Sequence, residues 1–169
     1  IIYESNLELR LTYVNPLGFT KFGFTQTDFD NGINVINLIK HEHRKRAQKN
    51  VEDILKGVDE RPHEYIMIKK DDSNFYASVH SRPIYKNGTI IGMRGVVHDI
   101  TESYLAKQKL KESEEKYRHL FNSTPYGIWL VNLKGKIIDC NVTMNQFLSI
   151  LNKDDLIGKN FIDVIILFT

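Results

Sequence analysis

The 169-residue sequence contains a single cysteine, Cys140. No intramolecular disulfide can therefore form, and a reducing, cytoplasmic compartment is the expectation. No apolar stretch approaches the roughly 20 residues that a membrane helix needs, and no signal-peptide pattern is present. Neither sign of charge dominates, since 23 Lys and Arg residues stand against 21 Asp and Glu residues, for a net charge of +2. So balanced a charge argues against a nucleic-acid partner.

The sequence motifs that accompany catalysis and metal binding are missing as well. There is no Gly-rich phosphate loop, nucleophile elbow or kinase catalytic motif, so we expect this segment not to be an enzyme and assign no catalytic residue. His41 and His43 are two residues apart, a spacing that splays them on a helix. His80 and His98 have no cysteine or clustered carboxylate to complete a ligand set. We therefore expect no metal site.

Runs of β-branched and aromatic residues predict an antiparallel sheet. Three runs, at 64–69, 75–82 and 89–98, are separated by polar turns, and the second turn contains Asn-Gly, a strong hairpin signal. Two shorter runs precede them, at 1–3 and 9–14, with short helical segments between. The pattern predicts an α+β fold, in which a five-stranded antiparallel sheet is flanked by short helices.

The last strand runs directly into a long helix at Asp99-Ile100-Thr101. Residues 102–122 contain neither Pro nor Gly and are dense in Leu, Lys, Glu and Gln, which is typical of a helix. Asp99 can cap this helix, and Glu102 follows at the spacing of a capping box. We interpret the helix as an exit helix that carries a signal away from the sheet, with Asp99 and Thr101 as the residues that transmit it.

The two ends of the sequence repeat each other. Asn15 and Asn141 each follow an apolar strand and precede a short helix, for which each is the expected N-cap, and the offset between them is 126 residues. The alignment is expected to need a one-residue adjustment near Asp28 and Asp154.

These segments resemble a known family. The segment YVNPLGFTKFGFTQTDF resembles the N-terminal signature of PAS domains, and the run HEYIMIKKDDSNFYASVHSRPIYKNGTIIGMRGVVHDITE resembles their C-terminal half, including the Asp-Ile-Thr at its exit. The stretch SEEKYRHLFNSTPYGIWLVNLKGKIIDCN resembles the entry to a second PAS domain. We therefore expect a PAS domain at 1–101 with a shortened first strand, a signalling helix at 102–122, and the N-terminal part of a second PAS domain at 123–169.

The resemblance implies a function in signal transduction. Proteins of this construction are often sensor histidine kinases of two-component systems, so the chain is expected to be a sensory input and dimerisation module of a longer protein. It would relay the binding of a ligand or partner to an output domain downstream. The alternatives are a ligand-free interaction scaffold and a haem- or flavin-binding redox or gas sensor. Flavin photochemistry in related domains uses a cysteine, and the first domain has none, so we expect no cofactor.

The resemblance also implies a small cavity between the curled sheet and the short helices. Small inward-facing residues, Ala77, Ser81 and Gly95, would leave room for a small-molecule ligand. Met67 and Met93 would instead fill that room, and the sequence favours the filled core. The candidate pocket residues are Phe22, Leu38, Ile54, Tyr65, Met67, Ala77, Val79, Met93 and Val97.

The opposite face of the sheet carries apolar residues where PAS domains often have polar ones. Such a face is expected to pack on a helix or on a second subunit. The exit helix adds a weak heptad seam, which is a marginal coiled coil by itself. Its residues are Ala106, Leu110, Ser113, Tyr117 and Leu120. We therefore predict a parallel homodimer. The candidate interface residues are Ile66, Ile68, Tyr76, Val96, Leu110 and Tyr117.

Overall fold

The computed structural model describes residues 1–58, 61–148 and 153–166, and the chain divides into two compact units, Ile1–Ala106 and Lys107–Thr169. The first unit begins with two strands and four helices, one of them a 3-10 helix. They are β1 (Ile2–Asn6), β2 (Leu11–Val14), α1 (Pro16–Phe22), α2 (Gln26–Asp30), a 3-10 helix (Val35–Leu38) and α3 (His41–Leu55). Three strands and a long helix follow. They are β3 (His63–Ile68), β4 (Asn74–Lys86), β5 (Thr89–Asp99) and α4 (Thr101–Ser123), whose residues 101–106 belong to the first unit and whose remainder belongs to the second.

The five strands form one antiparallel sheet in the order β2-β1-β5-β4-β3. β1 therefore lies between β2 and β5, where Tyr3 is opposite Gly95. This arrangement brings the first and the last strand of the unit side by side, and β5 then leads into α4. The predicted α+β fold with a five-stranded antiparallel sheet and a long exit helix is confirmed.

The turn between β4 and β5 has the geometry that its sequence predicts. Asn87 and Gly88 have φ values of 51° and 79°, in the left-handed region that a tight hairpin turn requires and that Asn-Gly adopts at low cost. β4 continues to residue 86 instead of ending at 82. The extension passes through Pro83. A proline is possible there because β3 stops opposite Val79, so the part of β4 after Val79 is hydrogen-bonded to β5 alone. Proline is tolerated at such an edge.

The early elements differ more from their predicted limits. β1 reaches Asn6 instead of ending at residue 3, and pairs with a strand on each side. β2 begins at residue 11 instead of 9, because Leu9 adopts a left-handed φ of 63° in a turn closed by its N–H donating to the Asn6 carbonyl at 3.1 Å. α3 begins at His41, three residues earlier than its apolar spacing indicates.

The core of the first unit lies between the inner face of the sheet and the helices that connect β2 to β3. The rings of Phe22 and Phe75 meet edge to face, with centroids 5.3 Å apart, so α1 packs directly on β4. Tyr65, Met67 and Ala77 are buried in the same cluster. The alternation of buried and exposed residues along β3 and β4 is what brings these side chains to one face.

The second unit contains a shorter version of the same beginning. After α4 come β6 (Trp129–Val131), β7 (Ile137–Cys140), α5 (Val142–Phe147), a 3-10 helix (Lys153–Asp155) and α6 (Phe161–Ile166). β6 and β7 pair antiparallel. A small cluster of Ile137, Cys140, Leu156 and Val164 is buried, so the unit has a core of its own.

The repeat extends to individual hydrogen bonds. Asn15 accepts the N–H of Ile2 on its side-chain oxygen at 3.0 Å, and Asn141 accepts the N–H of Ile128 in the same way at 2.8 Å. The backbone N–H of each asparagine also donates to the carbonyl of the same partner, at 3.0 and 2.9 Å. Leu9 has a left-handed φ of 63°, and at the equivalent position 126 residues later Gly135 has one of 72°.

Two expectations about the repeat are wrong. The Asn15 oxygen is engaged by β1 and does not cap α1, whereas Asn141 also accepts the N–H of Met144 and is a true N-cap. The one-residue adjustment is not needed, because the offset of 126 residues persists on the far side of the expected gap. There Asn34 and Asn160 each accept the N–H of the second residue after them, at 2.9 and 3.0 Å.

Candidate functional site

A cavity of about 80 Å³ lies between the inner sheet face and the covering helices of the first unit. It is lined by side chains from all five strands of the sheet and from α1, α2, the 3-10 helix and α3. The structure places eight of the nine candidate pocket residues in its wall. They are Phe22, Leu38, Ile54, Tyr65, Met67, Val79, Met93 and Val97.

Three small residues were expected to leave the space, and the structure assigns them different roles. Ser81 lines the cavity. Ala77, the ninth candidate, is fully buried but is not part of the cavity wall. The space next to the Gly95 Cα is filled by the Tyr3 and Ser81 side chains, because a Cβ there would lie 2.8 Å from the Tyr3 ring and 3.0 Å from the Ser81 hydroxyl. The two methionines are buried, yet the core is not completely filled.

The cavity wall includes two hydrogen-bonded polar pairs. The Tyr3 and Ser81 hydroxyls lie 2.7 Å apart in the buried interior, and Asn50 donates its side-chain N–H to the Tyr65 hydroxyl at 2.8 Å. Burial raises the pKa of Tyr3, although its hydrogen bond with Ser81 works in the opposite direction, so the phenol stays neutral at physiological pH. The remaining wall is predominantly apolar.

Sequence reasoning missed Tyr3 and Asn50. The signal for Tyr3 was available, because residues 2–6 alternate between outward and buried positions once β1 is recognised as a full strand. Asn50 lies on α3 three residues after the buried Ala47, on the flank of the helix that faces the sheet. Because Asn50 is polar, a search for regularly spaced apolar residues does not find it.

The strand-to-helix joint is held by Asp99 and Thr101. One carboxylate oxygen of Asp99 accepts the Thr101 backbone N–H at 2.9 Å and the Thr101 hydroxyl at 2.6 Å. The Thr101 hydroxyl oxygen in turn accepts the backbone N–H of Tyr76 in β4 at 3.0 Å. The capping box expected between Asp99 and Glu102 is therefore wrong. α4 begins at Thr101, and the Asp99 carboxylate bonds this first residue instead of Glu102.

Lys21, which the sequence did not single out, completes this joint. Its ammonium group forms an ion pair with the second oxygen of Asp99, and it lies 5.1 Å from the centroid of the Phe75 ring. Partial burial on its own would raise the pKa of Asp99, but the bonds from Lys21 and Thr101 outweigh it and lower the pKa to about 2. Asp99 is therefore ionised throughout the physiological range and ties α1 to the start of α4.

The candidate interface residues fall into two groups. On the outer sheet face, Val96 is 50% exposed, and Ile66 and Ile68 are partly buried. Tyr76 is covered within its own chain, because its ring stacks on that of Tyr104 in the first turn of α4, with centroids 3.9 Å apart. On α4, two further candidates are exposed. They are Leu110, at 70%, and Tyr117, at 45%.

Two kinds of site are absent from the described residues. Within 1–58, 61–148 and 153–166, His, Cys, Asp and Glu form no group of three that could hold a metal ion. No helix in that part of the chain combines the length and the apolar character needed to cross a bilayer.

Comparison with known proteins identifies the class. A family profile described as PAS domain matches residues 1–102, and one described as PAS fold matches residues 115–167. The chain belongs to the PAS domain family. No match was found among curated protein sequences.

Three solved structures illustrate the similarity of fold. A sensory box histidine kinase/response regulator from Burkholderia thailandensis has a TM-score of 0.58 and 18% identity, over 70% of this chain and 89% of the other. A PAS domain from Colwellia psychrerythraea has a TM-score of 0.54 and 22% identity, over 60% and 86%. The N-terminal domain of a diguanylate cyclase with PAS/PAC sensor from Marinobacter aquaeolei has a TM-score of 0.52 and 15% identity, over 61% and 96%. At these identities the similarity shows the fold alone.

Proposed function

We propose that this chain is the sensory input segment of a cytoplasmic signalling protein and performs no catalysis itself. A ligand or partner at the inner cavity displaces the helices that cover the sheet, and the Asp99–Thr101 joint passes this displacement to α4. An output domain in the same protein, such as a histidine kinase, reads the change. The cavity favours this function over a ligand-free scaffold, which requires a filled core.

The carboxylate of Asp99 carries the proposal because its two oxygens are bonded to different elements. One oxygen pairs with Lys21 on α1, and the other bonds Thr101 at the start of α4. Lys21 precedes Phe22, whose ring lines the cavity and packs on Phe75. A displacement of α1 by a ligand therefore has a direct path to the exit helix through one side chain.

A double-mutant cycle tests this path without any ligand. Phe22→Leu loosens α1 at the cavity, and we expect it to raise amide hydrogen exchange in the first turn of α4, residues 102–106, by about 3- to 10-fold. In the Asp99→Asn background the same substitution should add less than about 2-fold, since the ion pair that links α1 to α4 has already been lost.

Asp71→Asn is the matched control. The Asp71 carboxylate accepts the N–H and the hydroxyl of Ser73, two residues on, at 3.0 and 2.6 Å, which is the local pattern of Asp99 and Thr101. It lies in the β3–β4 turn and leads into no helix. Phe22→Leu should therefore keep its full effect on α4 in the Asp71→Asn background. An equal effect in both backgrounds would exclude Asp99 as the transmission point.

We further propose that the functional state is a parallel homodimer. Val96 on the outer sheet face and Leu110 on α4 expose apolar surface in the single chain. Leu120, in the same heptad seam as Leu110, is also 60% exposed. Apolar positions along one helix face and one sheet face suit a second copy that presents the same residues, as a two-fold interface requires.

A further inference from the structure

The inner cavity has a size and a chemistry that restrict its ligand. Its volume of about 80 Å³ is far below the roughly 300–1,000 Å³ of pockets that enclose drug-sized molecules. An engineered apolar cavity of about 150 Å³ admits benzene. At about half that volume, the cavity holds about three heavy atoms with its walls as they stand, and movement of the flexible Met67 and Met93 side chains makes room for up to about five.

The ligand must also be uncharged. None of the described side chains that line the cavity belongs to Asp, Glu, Lys or Arg, and the one basic side chain among them, the imidazole of His63, lies beside the Tyr65 ring with centroids 6.3 Å apart. A charged group placed among Met67, Met93 and the aromatic rings would lose its hydration without gaining a partner of opposite charge. Tyr3 does not supply an anion either, because burial raises its pKa.

One polar contact is nevertheless available in the wall. The hydroxyls of Tyr3 and Ser81 are 2.7 Å apart, and both residues are more than nine-tenths buried. Each hydroxyl has one proton to donate, and a bond between them uses only one of the two protons. The second O–H can therefore donate to an oxygen atom of a molecule in the cavity.

We propose that the cavity binds a small neutral ketone, aldehyde or alcohol, whose oxygen accepts a hydrogen bond from the Tyr3–Ser81 pair and whose hydrocarbon part contacts the methionines. This inference rests on the sensory function proposed above and names the class of molecule that is sensed. For a probe of five heavy atoms the dissociation constant is expected between about 10 µM and 10 mM.

The three methionines of the chain provide the measurement. Met67 and Met93 line the cavity, whereas Met144 lies in the second unit and serves as an internal reference. With ¹³C-methyl methionine and the full chain, 2-butanone should shift the Met67 and Met93 methyl resonances saturably and leave that of Met144 in place. Propionate, which is similar in size but charged, should shift none of them.

The hydrogen bond is tested with an isosteric hydrocarbon. 2-Methyl-1-butene replaces the carbonyl oxygen of 2-butanone by a methylene group and cannot accept a hydrogen bond, so its affinity should not depend on the two hydroxyls. Because either hydroxyl alone keeps a proton to donate, the double variant Tyr3→Phe/Ser81→Ala is the one expected to weaken 2-butanone, by about 3- to 10-fold, and to leave the hydrocarbon unchanged. Ser78→Ala, in the same strand and facing the other side of the sheet, is the matched control and should alter neither affinity.

Each opposite result overturns the inference. An equal loss of affinity for the ketone and the hydrocarbon in the double variant, or no loss for either, would make the cavity a purely apolar site. Binding of propionate, or no shift of Met67 and Met93 with 2-butanone, would remove the proposed ligand class. The double-mutant cycle at Asp99 uses no ligand, so the relay function can survive any of these outcomes.

Discussion

Asp99 makes the stability of the strand-to-helix joint depend on pH in a defined direction. Its pKa of about 2 in the folded chain lies below the ordinary value of 3.8, so ionisation favours the folded state. The stabilisation is complete above pH 3.8 and is lost as the pH falls through about 2. Asp28 also has a pKa of about 2, because Lys70 and Thr25 donate to it, and it titrates in the same range.

A comparison of the wild type with Asp99→Asn isolates this residue from Asp28. Because 34% of the Asp99 side-chain surface is exposed to solvent, which screens its ion pair, we expect the wild type to be more stable by only about 1 kcal/mol, constant from pH 7 to about pH 4.5. The difference should shrink below pH 4 and vanish near pH 2. Urea unfolding followed by circular dichroism at each pH measures it. A difference that persists unchanged at pH 2 would mean that ionisation of Asp99 does not stabilise the joint.

Among the secondary-structure elements, α4 ends in a second set of hydrogen bonds, centred on Asn141. This side chain is fully buried and donates to the Phe121 and Tyr126 carbonyls at 3.0 and 2.8 Å. It accepts the N–H groups of Ile128 and Met144 at 2.8 and 2.9 Å. Both donors and both acceptor positions of the amide are therefore used, and Asn141 ties the end of α4 to the first strand and helix of the second unit.

Replacing this residue should destabilise the second unit selectively. Asn141→Leu leaves four backbone groups without their partner, and we expect a loss of about 2–4 kcal/mol, or a midpoint about 8 °C or more lower. Thermal unfolding followed by the fluorescence of Trp129, the single tryptophan, reports on this unit. Asn15→Leu is the matched control in the first unit and should leave the Trp129 transition in place. Equal shifts in the two variants would contradict a selective role.

The sequence predicted best those features that depend on patterns among residues close together in the chain. The Asn87-Gly88 turn defines its hairpin, and alternation in β3 to β5 brings five candidate residues to the cavity. The contacts that it did not predict are long-range. Lys21 and Asp99 are 78 residues apart, and Tyr3 and Ser81 are equally distant in sequence. Only the insertion of β1 beside β5 and the packing of α1 on β4 bring these pairs together, and no local pattern specifies either event.

For the molecule as a whole, the proposed homodimer predicts which surface is sensitive to charge. Val96→Lys should weaken self-association by at least about 100-fold, because it buries an unpaired charge at the interface. Ile91→Lys is the control, since Ile91 is 45% exposed in the same strand but lies at the irregularity near the β4–β5 turn, between the Ile90 and Gly92 pairings. Sedimentation equilibrium measures the self-association of both variants.

The parallel orientation of the proposed dimer is tested with Leu120→Cys in a Cys140→Ser background, because residue 120 lies near one end of α4. A parallel pair of helices brings these cysteines together and forms a disulfide, whereas an antiparallel pair separates them by roughly 24 Å. A monomer, or a dimer that tolerates Val96→Lys as well as Ile91→Lys, would refute the proposed interface.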